Sequence, residues 1–193
     1  MARRFTIILA LAMWPALCAA AEPSRDPAKA AAGVYELDPR QAGLEVRVPY
    51  LGFSSSTVRF TRLSGSFDYD PATWRATRVS ITVDPKSVAS KSGALGRRVV
   101  AALEPDKHPT IRFNSTRFDS SADGRGRLAG ALTLHGVTRP VTLDVVFHGV
   151  GSEPRLGFSG RGRVKRSEFG MTAARPFVGD MLDLTFEVEF VRK

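Results

Sequence analysis

The chain reads as all-β, an antiparallel sandwich or barrel of about eight strands with one short helix. Three observations predict this. Apolar residues recur with period two through most of the chain beyond residue 33. Turn pairs such as Asp70-Pro71, Asp84-Pro85, Asp123-Gly124 and Glu153-Pro154 separate these runs at regular spacing. A single segment, "SGALGRRVVAALEPDKHP", instead places Leu95, Val99, Ala102 and Leu103 at helical spacing before Pro105 stops it. Closing so many twisted strands into a barrel removes the exposed edges that would otherwise pair with other chains.

The elements follow in order. "MARRFTIILALAMWPALCAAAEP" has two arginines, an apolar run over residues 5–17 and a small-residue close, the pattern of a signal peptide spanning residues 1–21. The apolar run is too short to span a bilayer. Leu17 fits poorly before a lipid-bearing cysteine, so Cys18 is expected to leave with the leader, and the remainder then has no thiol or disulfide. Residues 22–33, "EPSRDPAKAAAG", read as a linker and 34–193 as one folded domain in an exported, periplasmic protein.

In "GLEVRVPY", Leu44, Val46, Val48 and Tyr50 share one face of a strand. Val79, Ile81 and Val83 alternate in the same way, as do Val141, Leu143, Val145 and Phe147. The alternation is longest in "DLTFEVEF", where Leu182, Leu184, Phe186, Val188 and Phe190 face one side. "STVRF", "SGSFDY", "TIRFNSTRF", "GRLAGALTL" and "RLGFSGRGRV" are shorter strand candidates. "LTLHGVTRPVTLDVVF" is a hairpin in which Gly136 permits a positive φ and His135 is the last residue of a strand.

The formal charge is +9, and loss of Arg3 and Arg4 with the leader leaves +7. Such a balance favours anionic surfaces or ligands. The cations are scattered, without the basic run of a nucleic-acid arm, so no nucleic acid is expected. Catalytic signatures are missing as well. "GFSGRG" around Ser159 lacks the helix that a nucleophile elbow requires and reads better as small residues in a curved strand or bulge. His108, His135 and His148 have no spacing that pairs them on one turn, so a metal site would need long-range assembly and none is expected. No cofactor is expected either.

"GALTLHGVTRPVTLDVVFHG" resembles the corresponding hairpin of the YceI-like family. "YELDPRQAGLEVRV", "GSFDYD", "VSITVDPKSV", "HPTIRFNST", "KRSEFGM" and "VGDMLDLTFEVEFV" follow in the family's order, covering nearly all of the chain from Val34 to Phe190. Tyr50 stands where the family often has a histidine. The resemblance implies an exported, lipocalin-like β-barrel whose lumen holds an isoprenoid lipid such as a quinone or polyprenyl phosphate, without catalysis. Candidate tunnel residues are Val46, Val48, Tyr50, Phe53, Phe60, Phe67, Ile81, Phe113, Leu132, Leu134, Phe169, Phe177 and Leu184. Arg166 and Arg175, flanking "SEFGMTAA", are candidates for the head group at the barrel mouth, with Arg139 nearby in the hairpin. The competing reading is a barrel with a filled core whose basic surface docks on an anionic membrane or a protein partner.

Overall fold

A computed structural model describes residues 26, 29–73, 78–121, 123–150 and 155–193. The predicted signal peptide and the Glu153-Pro154 turn lie outside the described residues. The strands are β1 (Gly33–Tyr50), β2 (Ser54–Phe60), β3 (Leu63–Tyr69), β4 (Val79–Val83), β5 (Val88–Ala89), β6 (Ile111–Ser120), β7 (Arg125–Leu134), β8 (Val137–Val150), β9 (Arg155–Lys165) and β10 (Met181–Arg192). The helix is α1 (Gly93–Leu103).

These segments form eight staves. One edge of β1 pairs with β10. Its other edge pairs with β2 over residues 44–50 and with β3 over residues 33–36, so β2 and β3 are two halves of one bent stave. β5 beside β2 and β4 beside β3 form the next stave in the same way. With β6 to β9, all antiparallel, the ring closes at β1–β10, giving an eight-stranded antiparallel barrel with one helix.

β1 begins about ten residues before the strand legible in "GLEVRVPY". Its register jumps from Leu37↔Phe190 to Ala42↔Val188, so four residues bulge out and the inward parity switches from odd to even. Asp38 anchors the bulge. Its buried carboxylate accepts from the Arg40 backbone N–H at 3.0 Å, from Arg40 Nε at 3.1 Å and from an Arg155 guanidinium nitrogen at 3.2 Å. The Arg40 hydrogen bonds above all hold it well below the usual carboxylate range. Just before β1, within the predicted linker, Ala30 is 3% exposed and packs into the interior.

At the β7–β8 connection the structure corrects the sequence reading. β7 ends at Leu134, which pairs with Val137, and His135 (φ 50°) and Gly136 (φ 76°) form the two-residue loop. Positive φ at both central residues is what a type I′ hairpin turn demands. His135 is therefore a turn residue and not the end of a strand.

One end of the barrel carries α1, the His135 turn and a 3₁₀ turn over Arg166–Phe169. Ser92 caps α1, accepting the Leu95 N–H at 3.3 Å, and Glu104 ends it in a left-handed conformation ahead of Pro105. Leu103 is buried, and Leu95 and Val99 are half-buried against the core. Val46, Val58, Phe60, Leu134, Val164 and Phe169 are buried in the core at this end.

Candidate ligand cavity

At mid-height, and toward the end away from α1, the interior is not filled. A cavity of about 170 Å³ lies there, walled by Leu44 and Phe186 on one side and extending to Ala30, Tyr69, Phe118 and Leu156. Every stave contributes to its lining, and apart from the Tyr69 hydroxyl the lining side chains are hydrocarbon. Its centre is an aromatic cluster. Phe67 stacks on Tyr35 at 5.4 Å and meets Phe190 edge-on at 4.8 Å, and Phe158 lies 5.2 Å from Phe147.

Inward-facing glycines keep the axis open. The Phe113 ring lies over Gly130, where a Cβ would sit 2.6 Å from its Cζ. Phe186 covers Gly160 likewise, and a Cβ there would also come within 2.6 Å of the Asp144 carbonyl oxygen. Rings that fold flat onto a neighbouring strand leave space on the axis that side chains at those positions would take. The run "GFSGRG" supplies Gly160 and Gly162 to this wall.

The buried Tyr69 is the polar group of the lining. Burial, reinforced by the nearby Tyr35, Asp26 and Asp70, pushes its hydroxyl up to about 12. The phenol is thus neutral across the physiological range, and the wall carries no charge.

Of the sequence candidates, Phe67, Ile81 and Phe113 line the cavity. Val46, Phe60, Leu134 and Phe169 are buried, and Val48, Leu132 and Leu184 half-buried, in the packed interior outside it. Tyr50, Phe53 and Phe177 lie exposed at the helix end, Phe53 at 85%. Arg166 is 6% exposed, and its guanidinium donates to four carbonyls: Met171 O at 2.7 Å, Ala173 O at 2.8 Å, Val178 O at 2.9 Å and Gly179 O at 3.0 Å. Desolvation lowers its pKa from the ordinary arginine value. The group is consumed in pinning the 171–179 loop. Arg175 lies half-exposed on that loop, 3.7 Å from Asp180, and Arg139 donates to the Glu168 carbonyl at 3.3 Å.

The sequence reading missed Leu63, Tyr69, Phe147, Phe158, Phe186 and Phe190 as lining residues. Their inward faces were legible from the alternation. Their height along the axis was not.

A closed up-and-down barrel with a dry, uncharged cavity defines a lipocalin-like protein. The family model described as "YceI-like domain" matches residues 35–190, and the chain belongs to the YceI-like family. A UPF0312 protein of Vibrio cholerae is 31% identical over 175 residues, covering 86% of this chain and 92% of its own length. A relative from Vibrio vulnificus is 32% identical over 177 residues, with the same coverage of 86% and 92%. Among solved structures, Burkholderia cenocepacia BcnA superposes with a TM-score of 0.72 at 19% identity, over 79% of this chain and 98% of its own. A polyisoprenoid-binding domain from Saccharophagus degradans matches with a TM-score of 0.63 at 15% identity, over 82% and 98%. At these identities the two structures share the fold.

Proposed function

We propose that this protein binds an isoprenoid lipid of the quinone or polyprenyl phosphate type in the barrel lumen, as a carrier or store and not as a catalyst. The observation that carries the proposal is the apolar cavity, whose lining is hydrocarbon except for the single neutral hydroxyl of Tyr69. Membership of the YceI-like family and the fold shared with a polyisoprenoid-binding domain support it. The driving force is burial of the tail, on the order of 25 cal/mol for each Å² of apolar surface removed from water. A dry cavity of about 150 Å³ takes up benzene. About 170 Å³ therefore admits a short length of tail at rest, and a longer one enters as the Phe67, Phe158 and Phe190 rings rotate aside. The cavity extends toward the end that carries Ala30, Tyr69 and Phe118, which makes that end the nearer route for a tail once Ala30, 3% exposed, moves aside.

The N-terminal pattern supports export to the periplasm, with the mature chain beginning at Glu22. Contact with an anionic membrane is a further part of the proposal. It is favoured by the exposed Tyr50, Leu51, Phe53, Phe177 and Met181 at the helix end, with Arg47, Lys165 and Arg175 in the same segments. The test of lumen binding is displacement of an environment-sensitive apolar fluorophore by added ubiquinone or polyprenyl phosphate. Stoichiometric displacement, insensitive to salt, supports the reading. A protein that takes up neither fluorophore nor lipid refutes it.

A further inference from the structure

Away from the cavity, Glu104 and His108, four residues apart, meet the distant His135 at the helix end. Glu104 closes α1 in the left-handed region (φ 46°, ψ 58°), and its carbonyl accepts the N–H groups of both Lys107 and His108 at 2.9 Å. That turn folds His108 back over the helix terminus. His135 sits across from it in the type I′ turn, and the two imidazole rings are 4.5 Å apart and tilted by 56°. His135 Nε2 lies 3.5 Å from Glu104 Oε2, and one donor atom from each of the three residues falls within 4.8 Å of the other two.

Two details separate this cluster from a chance surface contact. Glu104 and His135 are two of the four non-Gly residues with positive φ among the described residues, and, unlike Leu51 and Ala174, both carry side chains able to ligate a metal. The cluster is also walled and partly sheltered. A Cβ on Gly136 would stand 2.8 Å from His108 Cε1, one on Gly170 would stand 3.8 Å from His135 Nδ1, and the His135 side chain is 21% exposed.

We propose that Glu104, His108 and His135 form a binding site for a borderline divalent transition ion, Zn²⁺, Co²⁺ or Cu²⁺. Two imidazoles and a carboxylate are the donor set these ions prefer over Mg²⁺ or Ca²⁺. Donors at about 2.0–2.1 Å from a tetrahedral ion stand about 3.4 Å apart, close to the Glu104–His135 separation. Lys107 Nζ, 3.2 Å from Glu104 Oε2, is the resident cation, and its 72% exposed side chain gives way to water when the ion enters. The fourth position stays open to solvent. An ion held here clips the C-terminus of α1 to the β7–β8 turn and fastens the cap on the packed end of the barrel, independently of what the lumen holds.

The test uses the untagged chain from Glu22, stripped with a chelator. Co²⁺ is titrated by its visible absorption and Zn²⁺ by competition with a chromophoric chelator. One equivalent is expected to bind and to raise the melting temperature. His135→Asn is the decisive variant, since Asn-Gly suits a type I′ turn and preserves the hairpin while removing the nitrogen donor. It is expected to weaken binding more than about tenfold and to abolish the metal-dependent rise in melting temperature, as is His108→Gln. His148→Gln, whose imidazole instead pairs with Ser159 Oγ at 2.7 Å, is expected to bind like the parent. Failure of the parent to bind a saturating equivalent, or undiminished binding by a folded His135→Asn, would overturn the proposal.

Discussion

Replacing Arg166 by Met separates two roles that an arginine in this position can have. A head-group ligand could be lost at little cost to the fold. Arg166 instead donates to the carbonyls of Met171, Ala173, Val178 and Gly179, all within 3.0 Å, from a site 6% exposed. Hydrogen bonds to a charged partner contribute about 1.5–3 kcal/mol each. The full sum overstates the loss, because the 171–179 loop lies at the surface and its freed carbonyls recover water. The expected destabilisation is about 3–5 kcal/mol, roughly half of what four such bonds would contribute. For a domain of this size that is roughly a 10 °C fall in Tm. Urea unfolding is the assay, with the midpoint displaced and the slope unchanged. Arg166→Lys restores less than half of the loss, since an ammonium has three donors and no planar fork. A Met variant within about 0.5 kcal/mol of the parent would refute the structural role assigned to the guanidinium.

Val145→Trp places a large ring in the cavity that Val145 lines. It is expected to abolish uptake of an apolar fluorophore at a stability cost of about 1–3 kcal/mol, measured by fluorescence and urea unfolding. Tyr69, with its hydroxyl pushed up to about 12, is expected to titrate late in ultraviolet absorbance, and Tyr69→Phe removes that step. Because its folded value lies above the unfolded value of about 10, its contribution to stability is complete below pH 10 and is lost as pH rises from about 10 to 12. Gly136→Ala forces a Cβ into the left-handed region at φ 76° and against His108, 2.8 Å from Cε1, and is expected to cost about 1–2 kcal/mol in thermal unfolding.

Much of the barrel was legible because alternation survives in strands with one wet face. β8 and β10 read without ambiguity, and α1 was marked by its spacing and by Pro105. The first half of β1 was hidden because the Asp38-Pro39 bulge breaks the period of two, and a parity switch looks like the end of a strand. The site was legible only in part. Period two tells which way Phe67, Val46 and Leu184 point, but the height of each on the axis depends on the shear of the closed sheet, a non-local property. Arg166 looked like a ligand group because sequence shows its charge and not the carbonyls that surround it. His135 could not be grouped with Glu104 and His108 from spacing, since a hairpin turn from a different part of the chain brings it to the helix cap.

The proposed function depends above all on a lipid in the lumen. Native mass spectrometry of the protein purified from cells that express the full chain, followed by organic extraction of what it holds, tests it directly. A near-stoichiometric adduct that extracts as an isoprenoid lipid and is lost in Val145→Trp is expected. A bare polypeptide mass that stays bare after incubation with ubiquinone and polyprenyl phosphate would contradict it.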